Sequence, residues 1–389
     1  MVPLLLIAAT LGASLAAVVG RREPPPPAAC APCSSGPSSP VTRDCLRPAP
    51  VISRGARVAA SAPGARVLVD GVFRADSWGG GKASPEHPAW VSLRLPSCLR
   101  RVLLLWTSSH NHDYFEQFYG APRDYRLELS ADSTDGADGR WRTALEVKDN
   151  PARTRAHALD LDGARWVRLA VTRLPERVNE WGLFLDEIEV HDLSDGGDDV
   201  WIFLGDSIDA GVFDRAPDHQ PDFARWVEAA WPRHQPVMID AGLPRLRAWE
   251  ASERVDEVLA LNPDARVVAV TLGANDADLG KLRAALQAIV RKIRAAGKIP
   301  LLSRIPFQTK YGPDYVAAKN VVVDEVVREE GLLPGPDLYR YFKDHPERLH
   351  DGLHPDGPGA VAFQRAWAIA AAPLYQPPRR EGSPQAPGR

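Results

Sequence analysis

Five residues in the second half of the 389-residue sequence are of types that together serve acyl transfer. Ser207 stands in Gly205-Asp206-Ser207-Ile208-Asp209-Ala210-Gly211, directly after the apolar run WIFLG and where a helix would begin. The first amides of a helix lack an intrahelical acceptor and carry positive partial charge. A serine at that point can attack with its hydroxyl while its own NH stabilises the resulting oxyanion. Alone the triplet is weak, because Ser or Asp there more often only caps the helix. The next two apolar runs end in Asp240-Ala241-Gly242 and Gly273-Ala274-Asn275-Asp276. Gly242 would bring a backbone NH close to a substrate, and Asn275 would offer a neutral carboxamide donor to the same oxygen. Taken separately, Gly242 and Gly273 serve turns and Asn275 caps a helix. Last comes Asp351-Gly352-Leu353-His354-Pro355. Its spacing lets a short turn hold the carboxylate against one imidazole nitrogen, leaving the other to take a serine proton. A lone Asp-x-x-His equally suits a metal pair or a turn contact, so these residues persuade only as a set.

Positioning them requires strands that end along one sheet edge. Beyond Asp198 the runs WIFLG, PVMIDAG, ARVVAVTLG and IPLLSRIPF alternate with LRAWEASERVDEVLAL, LGKLRAALQAIVRKIRAAG and YVAAKNVVVDEVVREEG, which have helical patterning. That alternation predicts a parallel α/β layout, with ligands beyond the carboxyl ends of the strands. Residues from about 51 to 195 differ. Short segments such as ARVLVDGVF, AWVSLRL, RRVLLLWTS, DYRLELSA, RWVRLAVTRL and LFLDEIEVHDL are separated by Gly, Asp and Asn turns, and no long stretch has a helical period. This predicts a β-sandwich. Trp78-Gly-Gly-Gly81-Lys82 lacks the earlier glycine of a phosphate loop and reads as a flexible turn.

In their order along an α/β chain, the GDS serine, the glycine, the GxND asparagine and the DxxH pair resemble the four blocks of the SGNH/GDSL hydrolase family. The resemblance covers roughly residues 199–373. It implies a flavodoxin-like three-layer α/β/α domain with a parallel sheet, Ser207 as nucleophile, His354 as general base and acid, and Asp351 as its orienting partner. It implies the Ser207 amide, Gly242 and Asn275 as oxyanion-hole donors, and neither a metal nor an organic cofactor. Two departures stand out. Asp209 occupies a position where Thr or Ser is common, and Gly242 is followed by Leu-Pro-Arg-Leu-Arg instead of small residues. Arg245 and Arg247 could neutralise Asp209, bind an anionic substrate, or lie solvated on the surface.

The upstream segments GLFLDEIEVHDL, FYGAPRDYRLELSADS and DGRWRTALEVKDN resemble a discoidin or galactose-binding-like jelly roll. Such a module implies a glycan or other surface ligand, which would concentrate substrate near an attached enzyme. Within SSHNHDYFEQFYG, the side chains of His110, His112, Tyr114, Phe115 and Tyr119 suit a sugar platform, a cleft wall or core packing.

Around these two units the chain has simpler parts. Val2 to Val19 is an uncharged apolar run followed by Arg21 and Arg22, so residues 1–22 read as an export signal or single membrane anchor, without the usual basic segment in front. Residues 23–50 are a Pro/Ser/Ala-rich linker, 51–197 the sandwich, 198–375 the hydrolase-like unit, and 376–389 a loose tail. The four cysteines, Cys30, Cys33, Cys45 and Cys98, fit an oxidising compartment, with Cys45 and Cys98 a candidate staple. Cys30-Ala-Pro-Cys33 has redox spacing but sits in the linker, away from any helix start, and one such pair is short of zinc's four ligands. A length of 389 residues with 44% hydrophobic content is enough for two cores. With 47 Lys and Arg against 50 Asp and Glu, no basic excess exists for nucleic acid.

The reading that follows is a secreted, periplasmic or envelope-anchored serine esterase that removes acetyl or other small acyl groups from a polysaccharide or glycoconjugate. Its partner is an acylated carbohydrate, with membrane association through the N-terminal segment. Two rivals are a carbohydrate O-acyltransferase, because a sugar hydroxyl can capture the same acyl-enzyme, and a glycan-binding envelope protein with a vestigial hydrolase domain.

Overall fold

The computed structural model describes residues 45–72, 77–108, 120–176, 182–215, 222–312 and 314–376. The N-terminal apolar run, Cys30 and Cys33, the His110–Tyr119 aromatic run and the tail from residue 377 lie outside the described residues. Among the described residues no helix is long and apolar enough to cross a membrane.

An antiparallel region comes first. Its strands are Val58–Ala60 (β1), Trp78–Gly81 (β2), Ala89–Arg94 (β3), Arg101–Thr107 (β4), Asp124–Ser130 (β5), Arg142–Val147 (β6), Thr154–Asp160 (β7), Trp166–Arg173 (β8), Leu183–Leu185 (β9) and Glu187–Asp192 (β10). They form sheets ordered β1-β3-β8-β5-β6, β10-β4-β7 and β2-β9. The two larger sheets share a core that includes Val91, Leu93, Trp106, Tyr125, Leu127, Leu169, Ile188 and Val190, drawn from alternate positions of strands in both.

Strand β4 breaks that alternation, being buried at every position after Arg101. Val102, Leu104 and Trp106 join the sandwich core, whereas Leu103 and Leu105, with Ala156 of β7, join the core of the α/β region. The three-stranded sheet is therefore covered on both faces, which explains its continuous apolar run. Each buried leucine contributes about 1.5–3 kcal/mol relative to exposure.

Two local expectations change. Trp78–Gly81 is strand β2 rather than a flexible turn, and pairs with β9 through an irregularity between Gly79 and Gly81. A Cβ on Gly80 would come within 2.8 Å of the Leu183 and Trp78 side chains, so glycine permits this close approach. Cys45 is a free thiol and Cys98 is disulfide-bonded, so the Cys45–Cys98 staple does not form. Cys45 precedes Leu46, whose amide bonds the Leu374 carbonyl of the α/β region, whereas Cys98 lies in the β3–β4 turn of the sandwich. Leu46 and Ala49, inside the stretch expected as linker, are buried in the α/β core.

The α/β region carries Val200–Gly205 (β11), Val237–Asp240 (β12), Val267–Thr271 (β13) and Ile299–Leu302 (β14) in a parallel sheet ordered β12-β11-β13-β14. Its helices are Ser207–Arg215 (α1), Phe223–Ala230 (α2), Ala248–Leu261 (α3), Leu279–Ala295 (α4), Ala317–Glu329 (α5), Leu338–Asp344 (α6) and Gly357–Ala370 (α7). Helix α4 packs on α3 and α5, while α7 packs on α1 and α2. Every residue of β11, β12 and β13 is buried, as strands covered on both faces require. Asp222, Asp278, Asp337 and Asp356 each cap the helix that follows by accepting a first-turn amide. The expected α/β architecture preceded by antiparallel sheets is the one observed.

The two regions are joined by more than the chain. Arg54 of the antiparallel region pairs with Glu228 at 3.1 Å, and the Val51 amide donates to Gln235 Oε1 at 2.6 Å. Arg153, just before β7, forms a buried ion pair with Asp240 at the end of β12.

Candidate active site

Strand β11 ends at Gly205, and Asp206 caps α1 by accepting the Ile208 amide at 2.8 Å. Ser207 is thereby placed at the first helical position. Its amide has no acceptor among the described residues, the usual state of a helix-start NH. Its Oγ lies 2.9 Å from His354 Nε2, and His354 Nδ1 lies 2.9 Å from Asp351 Oδ2. Nδ1–H donates to the carboxylate, so Nε2 is left as the acceptor of the serine proton.

The Asp351–His354 turn is held from several sides. Leu349 and Pro355 bridge antiparallel across its base. Asp351 Oδ1 accepts the amides of Leu353 at 3.0 Å and His354 at 2.8 Å. Gly352 has φ 75°, and its carbonyl accepts from the Thr309 and Lys310 amides at 2.8 and 3.0 Å. A Cβ there would lie 2.5 Å from Thr309 Oγ1, so both conformation and space call for glycine. Burial alone would raise Asp351, but the amide and imidazole of His354 outweigh it and hold the carboxyl well below the usual range. It remains an anion beside the imidazole at neutral pH.

The expected oxyanion donors are differently engaged. Asn275 Nδ2 donates to Asp206 Oδ2 and to the Leu246 carbonyl, each at 3.1 Å. The carboxamide is thus tied to the residue preceding Ser207. The Gly242 amide donates to Asp240 Oδ1 at 2.8 Å, inside its own turn. Gly242 also has a packing duty, since a Cβ on it would lie 2.7 Å from the Ala210 amide nitrogen of α1. Its lack of a side chain lets the β12–α3 loop rest on the helix that carries Ser207. The loop continues as a turn in which the Leu246 amide bonds the Leu243 carbonyl at 3.2 Å. Arg245 there has φ 67°, a left-handed conformation that costs a non-glycine residue about 1 kcal/mol.

Acidic groups crowd the sheet edge beneath the serine. Burial pushes Asp206 up to about 7, with the charge of Asp276 adding to the effect and the Ile208 amide and Lys319 opposing it. Asp209 is fully buried; burial first and the Asp206 charge second raise it well above the ordinary range. It therefore favours its uncharged form, and Arg247 faces Glu250 instead. Burial lowers Lys319 to about 8, while its Nζ donates to the Ala274 carbonyl at 3.0 Å and lies 3.7 Å from the Tyr315 ring centroid. Asp206 and Asp276 were visible in the sequence as letters of the motifs, whereas Lys319 on α5 and the Arg153–Asp240 pair carry no local signature.

On the far side of the β12–α3 loop a cavity of about 620 Å³ opens between the two regions. Gly242, Leu243 and Leu246 line it from the α/β side, and Arg123, Asn150 and Arg173 from the sandwich side; Ser207 and His354 do not. The proposed sugar-platform residues, His110 to Tyr119, fall outside the described residues.

Residues 203–362 match the GDSL-like Lipase/Acylhydrolase family. Comparison with curated proteins gives no match. Among solved structures, the psychrotrophic esterase EstA from Pseudoalteromonas sp. is 19% identical over 45% of this chain and 98% of its own, with a TM-score of 0.37. AlinE4, an SGNH-hydrolase family esterase, is 21% identical over 47% of this chain and 99% of its own, with a TM-score of 0.35. Axe2, an acetylxylan esterase from Geobacillus stearothermophilus, is 18% identical over 46% of this chain and 97% of its own, with a TM-score of 0.37.

Proposed function

We propose that the part of the chain that matches the GDSL-like Lipase/Acylhydrolase family, residues 203–362, makes it a serine esterase removing acetyl or other small acyl groups from a polysaccharide or glycoconjugate. The observation that carries this reading is the unbroken hydrogen-bonded series Asp351–His354–Ser207. As Ser207 Oγ attacks the ester carbonyl, its proton passes to His354 Nε2, and the imidazolium is held against the Asp351 anion. The oxyanion forms beside the Ser207 amide. Asn275 supplies a second donor when its carboxamide releases the Leu246 carbonyl, and Gly242 a third once its amide leaves Asp240. His354 then gives the proton to the sugar oxygen as its bond to the acyl carbon breaks, so that it departs as a hydroxyl and leaves the acyl group on Ser207. Water, deprotonated at the same nitrogen, attacks the acyl-enzyme and frees both the acid and Ser207.

A carbohydrate as the alcohol portion is supported by the upstream antiparallel region, whose sequence resembles glycan-binding modules and which packs directly on the α/β region. An export route through the N-terminal apolar run belongs to the same proposal. The test is to treat the purified chain with a fluorophosphonate, locate the label by mass spectrometry, and screen acetylated polysaccharides for acetate release alongside acetyl, butyryl and octanoyl esters. Labelling at Ser207 with acetate release from a polysaccharide is the expected result. Binding to glycans with no label on Ser207 would overturn the esterase reading in favour of an adhesive protein.

A further inference from the structure

We propose that His350, Asp351 and His354 form an inhibitory site for a borderline divalent transition-metal ion, with Zn²⁺ as its representative, on the side of the catalytic imidazole away from Ser207. The inhibitory consequence rests on the triad reading above; the binding itself does not. One ligand atom from each of the three residues lies within 4.8 Å of the other two. The two imidazoles face each other with ring centroids 5.9 Å apart and planes 35° apart, and His350 Nδ1 is 3.9 Å from Asp351 Oδ1. Tetrahedral zinc with bonds of about 2.0–2.1 Å places its donors about 3.4 Å apart, so the set must tighten by roughly 1 Å. His350 supplies that movement by giving up the hydrogen bond between its Nδ1 and the His354 carbonyl at 3.0 Å, its side chain being 44% exposed while its amide stays anchored on the same carbonyl at 3.0 Å. Asp351 is 34% exposed, leaving an approach from solvent and room for a water as fourth ligand. Two imidazoles and one carboxylate suit a borderline cation better than Mg²⁺ or Ca²⁺, which prefer all-oxygen sets.

The chemistry of the ring makes such a site inhibitory. In the resting triad the imidazole proton is on Nδ1, facing Asp351, and Nε2 offers its lone pair to Ser207. A metal ion bound through Nδ1 takes the place of the Nδ1 proton, and the single proton of the neutral ring must then reside on Nε2. No proton is lost overall, but the base that would receive the Ser207 proton is gone. Asp351 is at the same time turned from the imidazole to the metal. His350 contributes only the third ligand, so it controls metal sensitivity without taking part in turnover.

Zn²⁺ is titrated calorimetrically into the full chain, and esterase activity is followed with Zn²⁺ and then with EDTA, for the parent, His350→Ala and His350→Gln. The parent is expected to take up one equivalent, losing activity in step with binding and regaining it with EDTA. His350→Ala and His350→Gln should keep metal-free turnover within about twofold while binding Zn²⁺ at least about tenfold more weakly, as expected for loss of a donor. No saturable binding by the parent, or equal binding by the His350 variants, would overturn the site. A parent that binds Zn²⁺ through His350 yet hydrolyses no ester would sustain the site and refute the esterase reading, so the two failures are separable.

Discussion

Two groups of acidic side chains, one at the surface of the antiparallel region and one at the carboxyl end of the parallel sheet, are shifted in opposite directions. In the sandwich, Asp124 is held below the usual carboxylate range chiefly by its hydrogen bonds to Arg173, and Asp132 by the amide and guanidinium of Arg140. At the carboxyl end of the parallel sheet, burial raises Asp206, Asp209 and Asp276 instead. The first arrangement satisfies charge with hydrogen-bonded cations near the surface. The second leaves carboxyls desolvated around a serine and an asparagine, an arrangement that lowers stability and is concentrated where chemistry is proposed. The difference teaches that desolvation rather than location sets the sign of the shift, since burial also raises Glu187 in β10 and Asp199 and Asp222 of the α/β region, while its hydrogen bonds hold Asp351 down.

The largest test of that contrast is at Asp351, the site acid that does behave like a paired scaffold acid. Asp351→Asn keeps the turn's shape but offers His354 the wrong partner, and kcat should fall about 10⁴-fold with an unchanged circular dichroism spectrum. Next comes the seam between the regions. Arg153→Ala leaves the buried Asp240 carboxylate without its ion-pair partner and should cost about 3–5 kcal/mol in urea unfolding. Adding Asp240→Asn should recover part of that loss, and recovery of none would show that the two residues act independently. Asn275→Ala should lower kcat about 10²- to 10³-fold with little change in KM, because the lost donor acts on the transition state. The smallest effect is on the pH dependence of stability. Asp206 has a folded value of about 7 against an ordinary 3.8, so its contribution is full below about pH 4 and is lost as pH rises through about 7. Asp124 has the opposite sign, contributing above the ordinary range and losing that contribution as pH falls. Urea midpoints measured from pH 5 to pH 8 should therefore decline, and Asp206→Asn should flatten the decline.

Much of this was legible in the sequence, for a physical reason. Strands buried on both faces and amphipathic helices leave periodic marks, and Ser207, Asn275 and the Asp351–His354 pair stand just beyond such marks or in a short, self-contained turn. What remained hidden depends on distant neighbours. Arg153 and Asp240 are separated by 87 positions and meet only because β7 packs on β12. Lys319 gains its meaning from Ala274 and Asp276 across the sheet edge. Gly242 could be seen to end a strand, but not that its amide would turn back to Asp240. The WGGG segment read as a turn because its pairing with β9 is set by close contacts with Leu183, not by any alternation of its own.

The most direct measurement is the steady-state hydrolysis of a small acetyl ester by the purified parent and by Ser207→Ala, with folding of both verified. Transfer of the Ser207 proton to His354 predicts a fall of about 10⁶-fold in the variant's kcat. A variant as fast as the parent would place the nucleophile elsewhere.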